Sequence, residues 1–201
     1  GSCSTSCHIT LEESGLKYEA IEVDFDNTSD TNIALTAKLN PMGTLPILIT
    51  DDGKQLDQNL SIHSYIADKV SEKKLLPIFG TFERAQAMNW LSFVAADLHK
   101  TIGALFSVPY YSEDKAIQEK MKKFHMNKSN EVLTYLNNKL ANSDYLMGKD
   151  FCVADSYAFV VLGWTKWLEI PLTPYKNIEG YLARVASRPA VTKVLKAEGL
   201  I

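Results

Sequence analysis

The chain has 201 residues, of which 46% are hydrophobic and 22% are charged, and its formal net charge is -3. This composition is typical of a globular protein with one large core or two modest ones, and it excludes the disordered, fibrous and collagen-like classes. Because the chain has neither a basic run nor a long apolar stretch, we expect it to bind neither nucleic acid nor a membrane. No segment of signal-peptide type is found, so we expect a cytoplasmic protein.

The first third of the chain alternates between patterns typical of helices and of strands. In chain order we predict a helix over 4–14, a strand over 18–25, a short helix from 31 to Pro41, two strands within 45–57 and a helix over 59–70. Gly15 ends the first helix, and an Asp-Gly turn joins the paired strands. These elements indicate an α/β domain, which we assign to residues 1–72.

The pattern changes after the polar stretch that follows residue 70. We predict helices over 81–110, 113–141, 153–168, 177–187 and 190–197, with no convincing strand among them. They indicate a second, all-α domain over residues 81–201. Cys152 precedes one of these helices at a position where serine or threonine caps best. Because a thiol is a poor acceptor, we expect this cap to be weak.

Three cysteines, Cys3, Cys7 and Cys152, constrain the chemistry of the chain. Their odd number argues against a disulfide framework, which a reducing compartment would also disfavour. Cys3, Cys7 and His8 have the side-chain types of a zinc site but no second ligand pair at a familiar spacing, so we expect no metal.

Two interpretations of each amino-terminal cysteine stay open. Cys3 lies at a helix amino terminus, which favours the thiolate and predicts a lowered pKa, and the alternative is a small packed thiol. Cys7 is interpreted first as a buried residue. It could also act as a resolving thiol, because positions four apart share a helix face.

Several longer motifs resemble those of one enzyme family. They are SCSTSCHITLEESG at 2–15, NPMGTLPIL at 40–48, DLHK at 97–100, YLMGKDFCVADSYAF at 145–159 and SRPAVTKVLKAEGL at 187–200. Together they resemble the cytosolic glutathione S-transferases. The first and third resemble the bacterial beta class, in which a cysteine replaces the tyrosine or serine of other classes. The resemblance covers the chain from end to end and implies a thioredoxin-like α/β domain followed by an all-helical domain.

The resemblance also implies roles for residues of the first domain. Cys3 would be the catalytic thiol. A cis bond between Leu45 and Pro46 would turn the Leu45 backbone toward the cysteinyl part of glutathione. Gln58 and Asn59 open the next helix and would hold the γ-glutamyl group. The family more often has an acidic residue followed by serine at these positions. The neutral Gln58 would therefore accept a hydrogen bond from the ammonium group of glutathione without the assistance of a negative charge.

The helical domain is expected to complete the site. By the same resemblance, His99 would hydrogen-bond or couple by acid–base chemistry to the thiol, and Lys100 would hold charge on glutathione. Asp97 would reach the neighbouring glutathione site of a two-fold homodimer. Candidates for the apolar pocket of the second substrate are Phe106, Tyr110 and Trp164, although an aromatic residue on a helix more often belongs to the core.

Two functions from different classes follow. The favoured one is a glutathione transferase that conjugates its co-substrate glutathione to small hydrophobic electrophiles, with thiol–disulfide exchange or peroxide reduction at Cys3 as possible further chemistry. The alternative is a non-catalytic binding or regulatory protein with the same fold. The joint presence of Cys3, His99, Lys100 and the Leu45-Pro46 dipeptide favours the enzyme.

One feature of the family's amino-terminal domain has no counterpart in the printed sequence. In the family a strand and a short turn precede the catalytic cysteine, and that strand lies inside the sheet. Without it, backbone N–H and C=O groups on both sides would lack partners. We therefore expect the natural protein to carry about seven to ten more residues before Gly1, in an apolar strand.

Overall fold

The computed structural model describes residues 1–24 and 31–201. The elements of the amino-terminal region are α1 (Ser4–Ser14), α2 (Thr31–Leu39), β1 (Ile47–Ile49), β2 (Gln55–Asp57) and α3 (Asn59–Lys69). Those of the remainder are α4 (Phe82–Phe93), α5 (His99–Tyr111), α6 (Lys115–Lys139), α7 (Val153–Trp167), α8 (Lys176–Ala186) and α9 (Pro189–Ala197). Short 3-10 turns lie at Ser71–Lys73 and Leu140–Asn142, and a π-helical turn spans Val94–Leu98.

Helix α1 confirms the expected first helix at both ends. It runs from Ser4 to Ser14, and Gly15 follows in the left-handed conformation with φ of 72°. A residue with a Cβ rarely adopts this φ, which is why glycine ends the helix there. The helix end therefore follows from local sequence alone.

The two strands within 45–57 are also confirmed. β1 and β2 pair antiparallel, with Leu48 opposite Leu56. The connecting turn contains Gly53 with φ of 79°, which fits the role of glycine in hairpin turns. The hairpin and α3 pack close to α1, where Cys7, Ile62 and Ile66 form a small buried cluster.

The strand expected over 18–25 is wrong for the residues that the structure describes. Residues 16–24 form no strand, and residues 16–22 are exposed; Phe25 lies outside the described residues. Alternating apolar residues give a segment strand propensity, but a strand also needs a neighbouring backbone to pair with. In the described part of the chain the sheet consists of β1 and β2.

The predicted helices after residue 81 are confirmed to within a few residues at their ends. The predicted helix over 81–110 contains an interruption, the π-helical turn Val94–Leu98, directly before His99. A large core cluster is formed mainly by α4 to α9. Ile9 of α1 and Ala67 of α3 also belong to it, so the amino-terminal elements pack directly against the helical core.

The segment Phe82–Tyr111 differs from our expectation that no stretch approaches the length of a membrane span. It is a continuous helical segment of 30 residues with a mean hydropathy of 1.2 in its most apolar window, enough by length and composition to cross a membrane. Its Leu91, Leu98 and Ile102 are fully buried in the large core. A third of that window is buried inside the protein, and a single helix of this length and composition is weak evidence for a membrane span.

Candidate active site

Cys3 occupies the N-cap position of α1, as the position of the first helix predicts. Its thiol donates a hydrogen bond to the Leu45 carbonyl, with 3.6 Å between Sγ and O. The peptide bond between Leu45 and Pro46 is cis, which confirms the expected backbone conformation. The fold therefore brings the thiol and the cis-proline loop together, although 42 residues separate Cys3 from Leu45.

The lowered pKa expected for Cys3 is wrong. Burial raises the pKa of this thiol, and hydrogen bonds from Asn59 and from backbone N–H groups, together with the charge of Lys100, offset only part of the increase. The helix terminus does favour the thiolate, but removal of the thiolate from water costs more. Near neutral pH, Cys3 is therefore mainly a thiol.

Gln58 and Asn59, which were expected to bind glutathione together, point in different directions at the start of α3. Gln58 is exposed and has φ of 69°, a conformation that is costly for a residue with a Cβ and is concentrated at ligand sites. Asn59 points inward and is 7% exposed. Its Oδ1 accepts hydrogen bonds from the Cys7 thiol at 3.0 Å and from the Ser6 hydroxyl at 3.4 Å.

Cys7 lies in the interior beneath Cys3. It is 5% exposed, and burial raises its pKa well above the usual value of a thiol. A resolving thiol attacks as the thiolate, so this environment favours the buried interpretation of Cys7.

A buried histidine links α1 to α3. His63 is fully buried, with Nε2 3.1 Å from the Ser6 hydroxyl and Nδ1 2.8 Å from the Thr10 hydroxyl. Burial lowers the pKa of His63 to about 3. The neutral ring therefore joins the two helices whose amino termini carry Cys3 and Asn59.

An open cavity of about 760 Å³ lies between Cys3 and the helical domain. Of the predicted residues, it is lined by Cys3, His99, Lys100, Phe106 and Trp164; further lining residues include Gly103, Tyr111, Trp167 and Leu200. The indole of Trp164 contacts both the His99 ring, at 4.8 Å between centroids, and the Phe106 ring, at 5.8 Å. The cavity thus combines a thiol and an imidazole with an aromatic wall.

His99 is held from the core side of the cavity. Its Nδ1 lies 2.6 Å from the Tyr157 hydroxyl. Burial and the nearby charge of Lys100 lower the pKa of His99 to about 4. The imidazole is therefore neutral at pH 7, whereas Lys100 is exposed at the cavity edge.

Two of the residues predicted from the helical domain do not line this cavity. Tyr110 is 89% exposed, and the next residue, Tyr111, lines the cavity instead. One residue along a helix turns a side chain by 100°, so a prediction that misplaces the helix face by one position selects the wrong tyrosine. Asp97 is exposed on the π-helical turn and is not among the lining residues.

Comparisons with known proteins identify the family. Models of the glutathione S-transferase amino-terminal and carboxyl-terminal domains match residues 1–69 and 96–198. The chain is 33% identical to glutathione S-transferase GstA of Escherichia coli O157:H7, over all of this chain and 96% of the relative. The chain belongs to the glutathione S-transferase family.

Solved structures of glutathione S-transferases have the same fold. A bacterial beta class enzyme from Sphingomonas chungbukensis is 34% identical with a TM-score of 0.87, and a sphingomonad enzyme complexed with glutathione is 33% identical with a TM-score of 0.85. In both cases the similarity covers all of this chain and 96% of the other. The expected family, fold class, transferase activity and co-substrate glutathione are thereby confirmed.

Sequence reasoning missed Tyr157 and Trp167 of this glutathione S-transferase. Tyr157 and Trp164 are seven residues apart on α7, which places them on one helix face. This spacing could have signalled that Tyr157 lies near the pocket. In the described part of the chain, residues 1–24 and 31–201, no group of three or more His, Cys, Asp and Glu side chains is suited to hold a metal ion.

Proposed function

We propose that this glutathione S-transferase conjugates glutathione to small hydrophobic electrophiles in the cavity next to Cys3. The observation that carries the proposal is the composition of that cavity. It joins the polar groups of Cys3, His99 and Lys100 to the aromatic rings of Phe106 and Trp164. A polar reacting centre beside an apolar wall suits a thiol nucleophile and an apolar electrophile.

In this proposal glutathione lies along the amino-terminal region. The backbone of Leu45 pairs with its cysteinyl part, and Gln58, the exposed residue at the start of α3, receives its γ-glutamyl group. The closeness of the Cys3 thiol to the Leu45 carbonyl supports this arrangement, because Cys3 lines the cavity and the cis-proline loop lies directly beside it. The strained φ of Gln58 supports a ligand-binding role for the start of α3.

The reaction consists of a proton loss and a displacement. The glutathione thiol gives its proton to solvent, and its thiolate forms a carbon–sulfur bond with the electrophile while the bond to the leaving group breaks. The Lys100 cation and a hydrogen bond from His99 favour the thiolate. Cys3 is not the nucleophile in this step, so its raised pKa does not hinder the reaction.

A glutathione-affinity column followed by a conjugation assay with an activated aryl chloride tests the proposal. We expect retention on the column, release by free glutathione and formation of the thioether. Trp164→Ala should raise the KM for the aryl chloride, whereas Tyr110→Ala removes an exposed aromatic side chain outside the cavity and should not. A protein that is retained but forms no thioether would support the binding or regulatory alternative.

The assembly and location of the protein are part of the proposal. We propose a cytoplasmic two-fold homodimer in which Asp97 lies near the partner's glutathione site. The exposure of Asp97 on the π-helical turn leaves its carboxylate available for such a contact, and isologous dimers are the commonest soluble oligomers. Light scattering at micromolar concentration should give twice the mass of one chain, and the mass of a single chain would refute the dimer.

A further inference from the structure

The closest polar contact of His99 is with a residue that does not line the cavity. The Tyr157 hydroxyl lies 2.6 Å from His99 Nδ1, and Tyr157 is only 3% exposed. The two rings meet edge to face, with 5.7 Å between centroids. Because Nδ1 is engaged by this core residue, Nε2 is the imidazole nitrogen left to serve the cavity.

The direction of the Tyr157 hydrogen bond follows from its length and from burial. The 2.6 Å separation lies in the usual range of bonds donated by O–H groups, about 2.5–3.0 Å, and below that of N–H···O bonds, about 2.7–3.2 Å. A buried hydroxyl proton also needs an acceptor, and Nδ1 of a neutral imidazole accepts when the ring proton is on Nε2. The Tyr157 hydroxyl therefore donates to His99 Nδ1.

We propose that Tyr157 is a positioning residue that fixes His99 as the Nε2–H tautomer and so makes it a hydrogen-bond donor toward the cavity. The Tyr157 hydroxyl donates to His99 Nδ1, and the proton of the neutral ring then lies on Nε2. The tautomer of a histidine is set by the hydrogen bond that its other nitrogen makes.

The catalytic consequence rests on the proposed function. A neutral Nε2–H group donates to a thiolate and stabilises it, whereas the other tautomer would present a lone pair and act as a base. The Trp164 ring packs edge to face against the imidazole, with 4.8 Å between centroids, and helps to hold it in this orientation. A Cβ on Gly103 would lie 3.3 Å from His99 Cδ2, so a glycine at this position leaves room for the imidazole.

The tautomer can be measured without any substrate. In protein labelled with nitrogen-15 histidine, with His99 assigned from the spectrum of His99→Gln, we expect the proton on Nε2 and an unprotonated Nδ1 that accepts a hydrogen bond. Tyr157→Phe should shift the Nδ1 resonance toward that of an acceptor without a partner. A proton on Nδ1 in the unaltered protein would overturn the proposal, whatever the activity of the enzyme.

The pH profile tests the catalytic link. Tyr157→Phe should lower kcat/KM about three- to tenfold below the pKa of bound glutathione and leave it nearly unchanged above that pKa, because one neutral hydrogen bond to the site is lost. Tyr181→Phe is the matched control, since Tyr181 is a fully buried tyrosine whose hydroxyl bonds to Asp155, outside the site.

The outcomes separate the two proposals. An equal loss for Tyr157→Phe at every pH, like that of Tyr181→Phe, would show a merely structural role and overturn the link to catalysis. Absence of conjugation by the unaltered enzyme would refute the proposed function instead, and the tautomer measurement would still decide the role of Tyr157.

Discussion

The side chain of Cys3 shows two opposing effects on one thiol. The amino terminus of α1 supplies backbone N–H groups that favour the thiolate, and Lys100 adds a cation. Burial acts in the other direction and has the larger effect. The site therefore contains a protein thiol that reacts with disulfides only through its small thiolate fraction.

This balance predicts how Cys3 reacts with oxidised glutathione. The Cys3 thiolate attacks one sulfur of the disulfide, forms a mixed disulfide and releases one glutathione thiolate. Because the thiolate fraction rises about tenfold per pH unit below the pKa, the rate of adduct formation should rise about tenfold per unit between pH 7 and 9. Intact-mass measurements over time give the rate, and Cys3→Ala should show no such adduct. A rate independent of pH would contradict the raised pKa.

His63 makes the stability of the protein sensitive to acid. Its pKa is about 3 in the folded protein, well below the 6.5 of an unperturbed histidine, which we take for the unfolded chain. The unfolded chain therefore binds a proton that the folded protein does not, and stability is lost as pH falls below 6.5, by about 1.4 kcal/mol per pH unit until pH approaches 3. Denaturant unfolding at pH 7 and pH 5 should show this loss. In His63→Gln, which can still hydrogen-bond to Ser6 and Thr10, the loss should be smaller by about 2 kcal/mol.

A second histidine variant provides the control for this measurement. His125 is half-buried on α6, away from α1 and α3. His125→Gln should keep the acid sensitivity of the unaltered protein. If His63→Gln and the unaltered protein lost equal stability between pH 7 and pH 5, the buried neutral state of His63 would be refuted.

At the scale of elements, local patterns predicted the helices and the hairpin. Gly15 and the Asp-Gly turn act within a few residues, so the end of α1 and the β1–β2 pair could be recognised from the chain alone. The strand over 18–25 could not be tested locally, because strand formation depends on a partner elsewhere in the chain. Likewise, the contact between Tyr157 and His99 joins residues 58 positions apart and depends on how α5 and α7 pack.

The start of α7 carries a cap that can be improved. Asp155 Oδ2 accepts a 2.8 Å hydrogen bond from the Cys152 N–H group, and the Cys152 sulfur occupies the reciprocal acceptor position for the Asp155 N–H group. Cys152 has extended backbone with φ of -135° and ψ of 172°, which suits threonine.

Cys152→Thr should therefore stabilise the protein by about 1 kcal/mol, because a hydroxyl accepts a hydrogen bond better than a thiol does. The measurement is the denaturant midpoint relative to the unaltered protein. Cys152→Ala, which removes the sulfur without supplying an acceptor, is the control and should have a lower midpoint. A midpoint of Cys152→Thr at or below that of the unaltered protein would contradict the prediction.

At the scale of the whole molecule, α1 is tied to the carboxyl-terminal helices by an ion pair. Arg188, the N-cap of α9, donates to Glu13 through Nε at 2.6 Å and Nη2 at 2.9 Å. Its guanidinium also lies 4.0 Å from the centre of the Phe151 ring. The Arg188 and Glu13 side chains are only 27% and 11% exposed. A bidentate, partly buried ion pair of this kind contributes more to the stability of the folded protein than an exposed ion pair does.

Arg188→Met should lower the free energy of unfolding by about 2 kcal/mol, since it leaves the largely buried Glu13 carboxylate without its partner. Lys193→Met is the matched control: Lys193 also joins α9 to α1, through Glu12 at 2.6 Å, but its side chain is 69% exposed. Lys193→Met should lower the free energy of unfolding by at most about 0.5 kcal/mol. Denaturant midpoints of the two variants, and a double-mutant cycle of Arg188→Met with Glu13→Gln, measure the difference. Equal midpoints, or no coupling between positions 13 and 188, would show that this pair does not hold α1 against the helical domain.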